Sequence, residues 1–247
     1  MQILSWNLNG LEARGTEARV EAALQDILLG ARIEAIMAGK APSAPPDVIL
    51  LQEVTRTSFH APLKPHLRKA GFELFPSSPP DRSYFELLAV RAPWTVEGYA
   101  AEPLWKTQYG RWLHTLELSG PGGKWRVLTA HMDSGPERET KRIRRAQTTD
   151  IADRLEGLAV FAGDTNLRDD EVEGLELRDA WTLAGADPKT RFTWEGQRRR
   201  ARFDRAWVSE ATRVEEFGLV GRTPVAGLGE PPSDHLGLRL RLGAATK

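Results

Sequence analysis

The chain has 247 residues, 34 basic and 34 acidic side chains and no cysteine. The length fits one large α/β domain, and an apolar share of 40% excludes an intrinsically disordered chain. Disulfide bonds and thiolate metal sites are excluded, and the balanced charge argues against a broad, non-specific grip on nucleic acid. No apolar run reaches membrane-spanning length and the first residues lack a signal-peptide pattern, so we expect a cytoplasmic protein. We also expect a monomer.

Apolar residues at helical spacing predict two long helices. The first covers Thr16 to about Ala38, and the second covers Glu137 to about Leu155. The proline-rich stretch 41–46 breaks the first helix and leads into a strand at 47–53. No linker or internal repeat is visible, so we expect residues 1–247 to form a single domain.

Short apolar runs predict strands before, between and after these helices. The turn Pro121-Gly122-Gly123 joins two of the runs into a hairpin. Strands separated by two long helices predict an α/β fold of two sheets flanked by helices. The runs cover residues 3–6, 47–53, 84–90, 112–118, 124–130, 158–161 and 236–240.

Five of these runs carry polar side chains at one end, which packing alone does not require. Each side chain alone could be a solvated loop residue, and Asp164 with Asn166 could form an ordinary Asx turn. Ligand groups gather beyond strand ends in open sheets, so the five together predict a catalytic site at one edge. A carboxylate and a carboxamide two residues apart could hold a water for attack on a phosphate. The polar groups are Asn7, Gln52-Glu53, His131, Asp164-Thr165-Asn166 and Ser233-Asp234-His235.

In type and order these motifs resemble the endonuclease/exonuclease/phosphatase superfamily, whose members are metal-dependent phosphodiesterases. The resemblance implies a two-sheet α/β sandwich and a single catalytic domain over 1–247. Segments 161–169, 192–194, 202–205 and 232–235 resemble the branch of type-2 tyrosyl-DNA phosphodiesterases. The motifs that carry the superfamily resemblance are Trp6-Asn7, Leu51-Gln52-Glu53, His131, Gly163-Asp164-Thr165-Asn166, Asp204 and Ser233-Asp234-His235.

The resemblance implies a magnesium site and a water-activating pair. Glu53 would ligate Mg²⁺, for which Mn²⁺ can substitute. Asn7 and Asp234 would hold metal-bound waters or the phosphate. Asp164 would activate the attacking water, and Asn166 would orient it or bind a phosphate oxygen.

Two histidines and one acid complete the implied catalytic set. His235 would stabilise the charge that develops on phosphorus, and Asp204 would fix its ring and favour its protonated form. Asp204 could instead pair with Arg202 or Arg205. His131 could be an ordinary core histidine, although the resemblance implies a phosphate contact.

The resemblance also implies a substrate groove. Its aromatic members could equally be core residues, and an arginine run is usually a solvated surface. In this chain Leu236 and Pro136 stand where the branch usually has a tryptophan and an arginine, which affects the grip on DNA. The implied groove residues are Arg168, Trp194, Phe203, Tyr84, Arg198, Arg199 and Arg200.

The implied activity is hydrolysis of 5′-phosphotyrosyl-DNA bonds, which leaves a 5′-phosphate and repairs trapped topoisomerase–DNA adducts. The expected partners are DNA 5′ ends that carry a tyrosyl or peptide adduct. A general or abasic-site DNA nuclease of the same superfamily is the alternative. A lipid-headgroup phosphodiesterase would need an apolar membrane-facing hairpin, and none is seen in the sequence. A non-catalytic scaffold would have lost site residues that this chain keeps.

Overall fold

The computed structural model describes residues 1–39, 44–196 and 199–245. Most strands follow the apolar runs of the sequence, because each run is long enough to cross a sheet. The strands are β1 Gln2–Asn7, β2 Val48–Thr55, β3 Phe72–Phe75, β4 Tyr84–Arg91, β5 Thr95–Pro103, β6 Trp112–Gly120, β7 Gly123–Ala130, β8 Ala159–Asp164, β9 Trp194–Glu195, β10 Arg200–Ala201, β11 Asp204–Val208, β12 Thr212–Val220 and β13 Gly237–Ala244.

These strands form two large sheets and one short hairpin. The first sheet has the order β12-β13-β1-β2-β4-β3, and the second has the order β11-β8-β7-β6-β5. The pairs β1–β2 and β7–β8 are parallel, so the carboxyl ends of β1 and β2 meet at one edge, as do those of β7 and β8. Strands β9 and β10 form the separate hairpin.

The core lies between the two sheets and on their outer faces. Ile3 and Leu50 of the first sheet pack against Val127 and Val160 of the second. The intervening residues of the same strands face the helices instead. Strands buried on both faces need continuous apolar runs, as the sequence shows here. The arrangement is the two-sheet α/β sandwich that the sequence predicted.

The two predicted long helices cover the outer faces. The first is interrupted, because the turns at Asp26–Gly30 widen to π-helical spacing between two α-helical parts. Within the described residues, no helix is both long and apolar enough to cross a membrane. The helices are α1 Thr16–Gln25, α2 Ala31–Met37, α3 Arg56–Ser58, α4 Lys64–Lys69, α5 Arg138–Ala152, α6 Asp169–Val172 and α7 Ala180–Leu183.

Strand β2 differs from the prediction, which ended it at Glu53. The strand continues to Thr55, and its pairing with β4 is irregular between Leu51 and Val54. At this bulge Glu53 has a left-handed backbone, with φ of 56°. Gly10 packs directly on it, since a Cβ at Gly10 would lie 2.0 Å from the Glu53 carbonyl oxygen. The bulge therefore turns the Glu53 side chain in a direction that strand alternation does not predict.

Stability should depend strongly on the core between the sheets. Leu50→Ala removes a fully buried side chain there, so we expect a loss of about 2–5 kcal/mol in the free energy of unfolding. Urea unfolding followed by far-UV circular dichroism measures it. Leu29→Ala is the matched control, because Leu29 is 45% exposed and should change stability little. Equal effects of the two substitutions would contradict the described packing.

Candidate active site

The polar groups at the strand ends continue rows of apolar residues that face the opposite sheet. On β8, Val160 and Ala162 point into the sandwich, and Asp164 is next in that row. On β1, Ile3 points inward, and Asn7 ends the same row. Because side chains alternate along a strand, each row delivers its last member into the space between the sheets. The same alternation brings in Gln52, His131 and Asp204.

Asp164 lies at the centre of the site and is almost fully buried. Asn7, from the opposite sheet, donates its Nδ2 to Asp164 Oδ2 at 2.9 Å. The Asn166 backbone N–H donates to Oδ1 at 3.0 Å. Burial opposes the charged carboxylate. The imidazoles of His131 and His235 and the two hydrogen bonds nevertheless hold the pKa of Asp164 below its usual value. Asp164 is therefore ionised and able to accept a proton.

His131 is a neutral imidazole whose N–H lies beside Asp164. Arg111 Nη1 lies 3.0 Å from His131 Nδ1, and a guanidinium can only donate, so Nδ1 carries the lone pair. Nε2 then carries the hydrogen and lies 3.3 Å from Asp164 Oδ2. Burial lowers the pKa of His131 to about 4, even though the charge of Asp164 opposes this. The ring supplies a fixed N–H at neutral pH rather than a positive charge.

His235 is the cation of the site. Its Nδ1 lies 2.8 Å from Asp204 Oδ2, and its Nε2 lies 3.7 Å from Asp164 Oδ2. Burial alone would lower the pKa of His235, but the charges of Asp204 and Asp164 raise it to about 10. The alternative partners of Asp204 are engaged elsewhere, since Arg202 pairs with Asp179 and Arg205 with Asp169.

Glu53 meets the chemical requirements of a metal ligand. Its Oε1 accepts a hydrogen bond from Asn7 Nδ2 at 3.3 Å, and no other described residue donates to the carboxylate. Burial raises its pKa, and neighbouring groups offset this only in part. A largely buried carboxylate with few donors is stabilised by a bound cation, and Mg²⁺ prefers such oxygen ligands. The side-chain oxygen Oδ1 of Asn7 accepts a hydrogen bond from the Asn9 N–H at 2.9 Å.

A second group could also surround a cation. Ligand atoms of Asp164, Asp204 and His235 all lie within 4.8 Å of one another. These three already compensate one another, because a protonated imidazole lies between two carboxylates. Glu53 has no such cationic partner at hydrogen-bond distance among the described residues, so it is the stronger candidate for binding a metal.

Asp234 is hydrogen-bonded to an aromatic residue. Its side chain is exposed, and its Oδ2 accepts a hydrogen bond from the Trp194 indole at 2.8 Å. A role for Asp234 in holding metal-bound water stays a prediction, and in this structure its first partner is an aromatic residue. The Trp194 ring packs against Phe203 with centroids 5.4 Å apart. This aromatic pair borders the site, because Trp194 also pairs with the backbone of His235.

The other predicted groove residues occupy different surroundings. Tyr84 is half-buried, with its ring centroid 6.3 Å from that of His131. Arg168 is half-buried before α6, and Arg199 and Arg200 are exposed on the β9–β10 hairpin. Arg198 lies outside the described residues. The structure thus brings Tyr84, Trp194 and Phe203 to the rim.

Sequence reasoning missed Arg111, which fixes the His131 ring and lies over the Tyr84 ring at 5.1 Å. It precedes β6 in an irregular loop, where no pattern signals its role. Backbone strain at the site was equally hidden: Asn9, Glu53 and Asn166 have positive φ values of 48°, 56° and 52°. Such strain concentrates at functional sites, where surrounding contacts hold it.

Two clefts adjoin the central cluster. One of about 290 Å³ is lined by Tyr84, Tyr109 and Arg111 and reaches the His131 side. The other, of about 760 Å³, is lined by Asn9 and Asp234 and reaches the side of the site that carries Asn7 and His235. A substrate that extends on both sides of a central phosphate fits this arrangement.

The family model described as "Endonuclease/Exonuclease/phosphatase family" matches residues 4–235. The chain belongs to this family. The match spans every motif from Trp6-Asn7 to Ser233-Asp234-His235 and confirms the superfamily resemblance.

Curated relatives point to one branch of the family. The 5′-tyrosyl-DNA phosphodiesterase of Caenorhabditis elegans is 28% identical over 254 residues, which cover 95% of this chain and 65% of the relative. Tyrosyl-DNA phosphodiesterase 2 of Homo sapiens is 26% identical, with 97% and 67% covered. The chain thus spans about two thirds of the length of these relatives.

Solved structures agree on the fold. Truncated TDP2 of Caenorhabditis elegans has a TM-score of 0.76 at 28% identity, with 99% of this chain and 97% of that chain covered. TDP2 of D. rerio, complexed with a single strand DNA product, has a TM-score of 0.79 at 23% identity, with 98% of both chains covered. These similarities confirm the predicted branch resemblance and the two-sheet sandwich.

The high pKa of His235 should depend on Asp204. Asp204→Asn removes a negative charge next to the imidazolium, so the pKa of His235 should fall below about 10. Titration of the imidazole by ¹⁵N NMR in metal-free protein measures this. Asp150→Asn, at a half-buried position of α5 where it pairs with Arg154, serves as the control and should leave the value unchanged. An unchanged His235 pKa in Asp204→Asn would contradict the described ion pair.

Proposed function

We propose that this chain is a Mg²⁺-dependent phosphodiesterase that hydrolyses 5′-phosphotyrosyl-DNA bonds and leaves a 5′-phosphate. One observation carries the reaction class: an ionised, buried Asp164 lies between two imidazoles, beside the under-compensated carboxylate of Glu53. The names of the relatives support the tyrosyl-DNA substrate. The cytoplasmic location and the monomeric state stay predictions.

The chain's own residues provide a complete hydrolytic step. Asp164 accepts a proton from a water that attacks phosphorus, and Asn166 orients that water or a phosphate oxygen. The bond between phosphorus and the phenolic oxygen breaks, and the tyrosyl group leaves as phenolate. His235, held protonated by Asp204, and the N–H of His131 stabilise the charge on the phosphoryl oxygens.

Metal binding completes the proposed site. Glu53 would ligate Mg²⁺, with Asn7 and Asp234 near its water shell, and Mn²⁺ would substitute. Bound Mg²⁺ would neutralise the phosphate and stabilise the developing charge.

The two sides of the phosphate would occupy different surroundings. The smaller cleft offers the aromatic rings of Tyr84 and Tyr109 to a tyrosyl group. Trp194 and Phe203 on the other side suit stacking of a terminal base. A phenol has a pKa of about 10, so its departure needs little help from an acid. Contacts of Arg168, Arg198, Arg199 and Arg200 with the DNA backbone remain part of the proposal.

Metal affinity should depend on Glu53. Glu53→Gln removes the ligand charge, and we expect a loss of Mg²⁺ affinity above the roughly 10- to 100-fold typical of outer-shell groups. Calorimetric titration and the Mg²⁺ dependence of turnover measure it. Glu73→Gln, at an exposed position of β3, is the control. Full turnover in excess chelator would contradict the metal assignment.

Substrate preference should separate the tyrosyl function from the nuclease alternative. We expect removal of a 5′-tyrosyl group from a single strand to exceed incision of abasic or plain duplex by orders of magnitude, because phenolate leaves more readily than an alkoxide. Trp194→Ala should raise KM for the oligonucleotide, since stacking contributes about 1–3 kcal/mol per base. A nitrophenyl phosphodiester without DNA serves as the control. If abasic duplex is incised faster than the tyrosyl group is removed, the tyrosyl-DNA substrate is wrong and only the assignment as a phosphodiesterase remains.

A further inference from the structure

A buried arginine in α1 contacts both segments that flank the site. The Arg19 side chain is 4% exposed, and no carboxylate among the described residues lies at hydrogen-bond distance from it. A guanidinium has five N–H groups, and Arg19 makes five hydrogen bonds to backbone carbonyls. Nε donates to Arg14 at 3.0 Å, Nη1 to Leu8 at 3.2 Å and Pro232 at 3.0 Å, and Nη2 to Asn9 at 3.1 Å and Glu12 at 2.6 Å.

These carbonyls belong to two segments that are distant in sequence. Asn7 ends β1, Asn9 lies in the loop that follows it, and Pro232 directly precedes Ser233-Asp234-His235. Two neutral hydrogen bonds join the same segments: Ser233 Oγ donates to the Asn7 carbonyl at 2.7 Å, and Trp6 Nε1 donates to the His235 carbonyl at 2.9 Å. Arg19 adds the charged part of this connection.

A continuous chain of hydrogen bonds runs from Arg19 to the catalytic carboxylate. Arg19 binds the carbonyl of Asn9, whose backbone is held in the left-handed region. The Asn9 N–H donates to Asn7 Oδ1 at 2.9 Å, which fixes the side-chain amide. Asn7 Nδ2 then faces Asp164 Oδ2 at 2.9 Å and Glu53 Oε1 at 3.3 Å.

Packing does not explain a cation at this position. Burial lowers the pKa of Arg19, and the charges of Glu12 and Asp234 offset this only in part. An apolar side chain would cover the sheet at lower desolvation cost, as Val20 and Leu24 of the same helix do. An apolar side chain would lack the planar set of N–H donors with which Arg19 reaches five carbonyls.

We propose that Arg19 is a positioning residue that sets the Asn7 amide against Asp164 and Glu53 by joining the loop after β1 to the Pro232–His235 segment. The expected effect on turnover rests on the proposed function. The expected effect on the position of the Asn7 amide rests on geometry alone. Arg19 itself does not contact the reacting atoms.

The test compares Arg19→Ala and Arg19→Lys with Leu24→Ala, which removes an apolar side chain of the same helix and no hydrogen bond to either segment. With a thymidine 5′-nitrophenyl phosphodiester at saturating Mg²⁺, kcat of Arg19→Ala should fall about 100-fold, the scale expected when a catalytic group is misplaced by about 1 Å. KM should change far less. Added guanidinium should restore part of kcat in Arg19→Ala and not in Leu24→Ala.

A second readout does not need turnover. The side-chain amide protons of Asn7 should be protected from hydrogen exchange in the wild type and lose protection in both Arg19 variants, but not in Leu24→Ala. If Arg19→Ala fails to fold, the test relies on Arg19→Lys, because lysine keeps the charge but lacks the planar donor set. Retained Asn7 protection in the Arg19 variants, or wild-type kcat in Arg19→Lys, would overturn the inference. An inactive wild type whose Asn7 protection is lost in the Arg19 variants would contradict the proposed function and support the positioning role.

Discussion

The rest of the site depends on the need to keep Asp164 ionised inside the protein. A carboxylate that is 1% exposed is stable as an anion only when donors and positive charge surround it. Asn7 comes from the opposite sheet, the Asn166 N–H from the turn after β8, and His131 and His235 from neighbouring chain segments. The constellation therefore forms only when both sheets and the returning C-terminal segment are in place.

The two histidines differ in charge because they have different hydrogen-bond partners. Arg111 leaves His131 with a lone pair at Nδ1, so the neutral ring carries its N–H at Nε2, beside Asp164. Asp204 accepts from His235 and keeps that ring charged. Two residues of one type thus supply a neutral donor and a cation around one anion, and that combination suits a phosphate that gains charge during hydrolysis.

Much of this architecture could be predicted from the sequence because alternation along buried strands is a local property. The apolar runs predicted Asn7, His131 and Asp164 at strand ends, and apolar residues at helical spacing predicted the two long helices at the observed places. The direction of the Glu53 side chain could not be predicted, since it depends on a bulge and a positive φ. Arg111 and Arg19 were also missed, because their contacts join segments far apart in the chain and leave no spacing pattern.

In the proposed mechanism, a water next to Asp164 attacks phosphorus directly. This step is tested by one turnover of a 5′-phosphotyrosyl oligonucleotide in ¹⁸O-labelled water with enzyme in excess. Direct attack on phosphorus predicts one ¹⁸O atom in the 5′-phosphate and none in the released tyrosine. Label in the tyrosine hydroxyl, or an unlabelled phosphate after the first turnover, would contradict it.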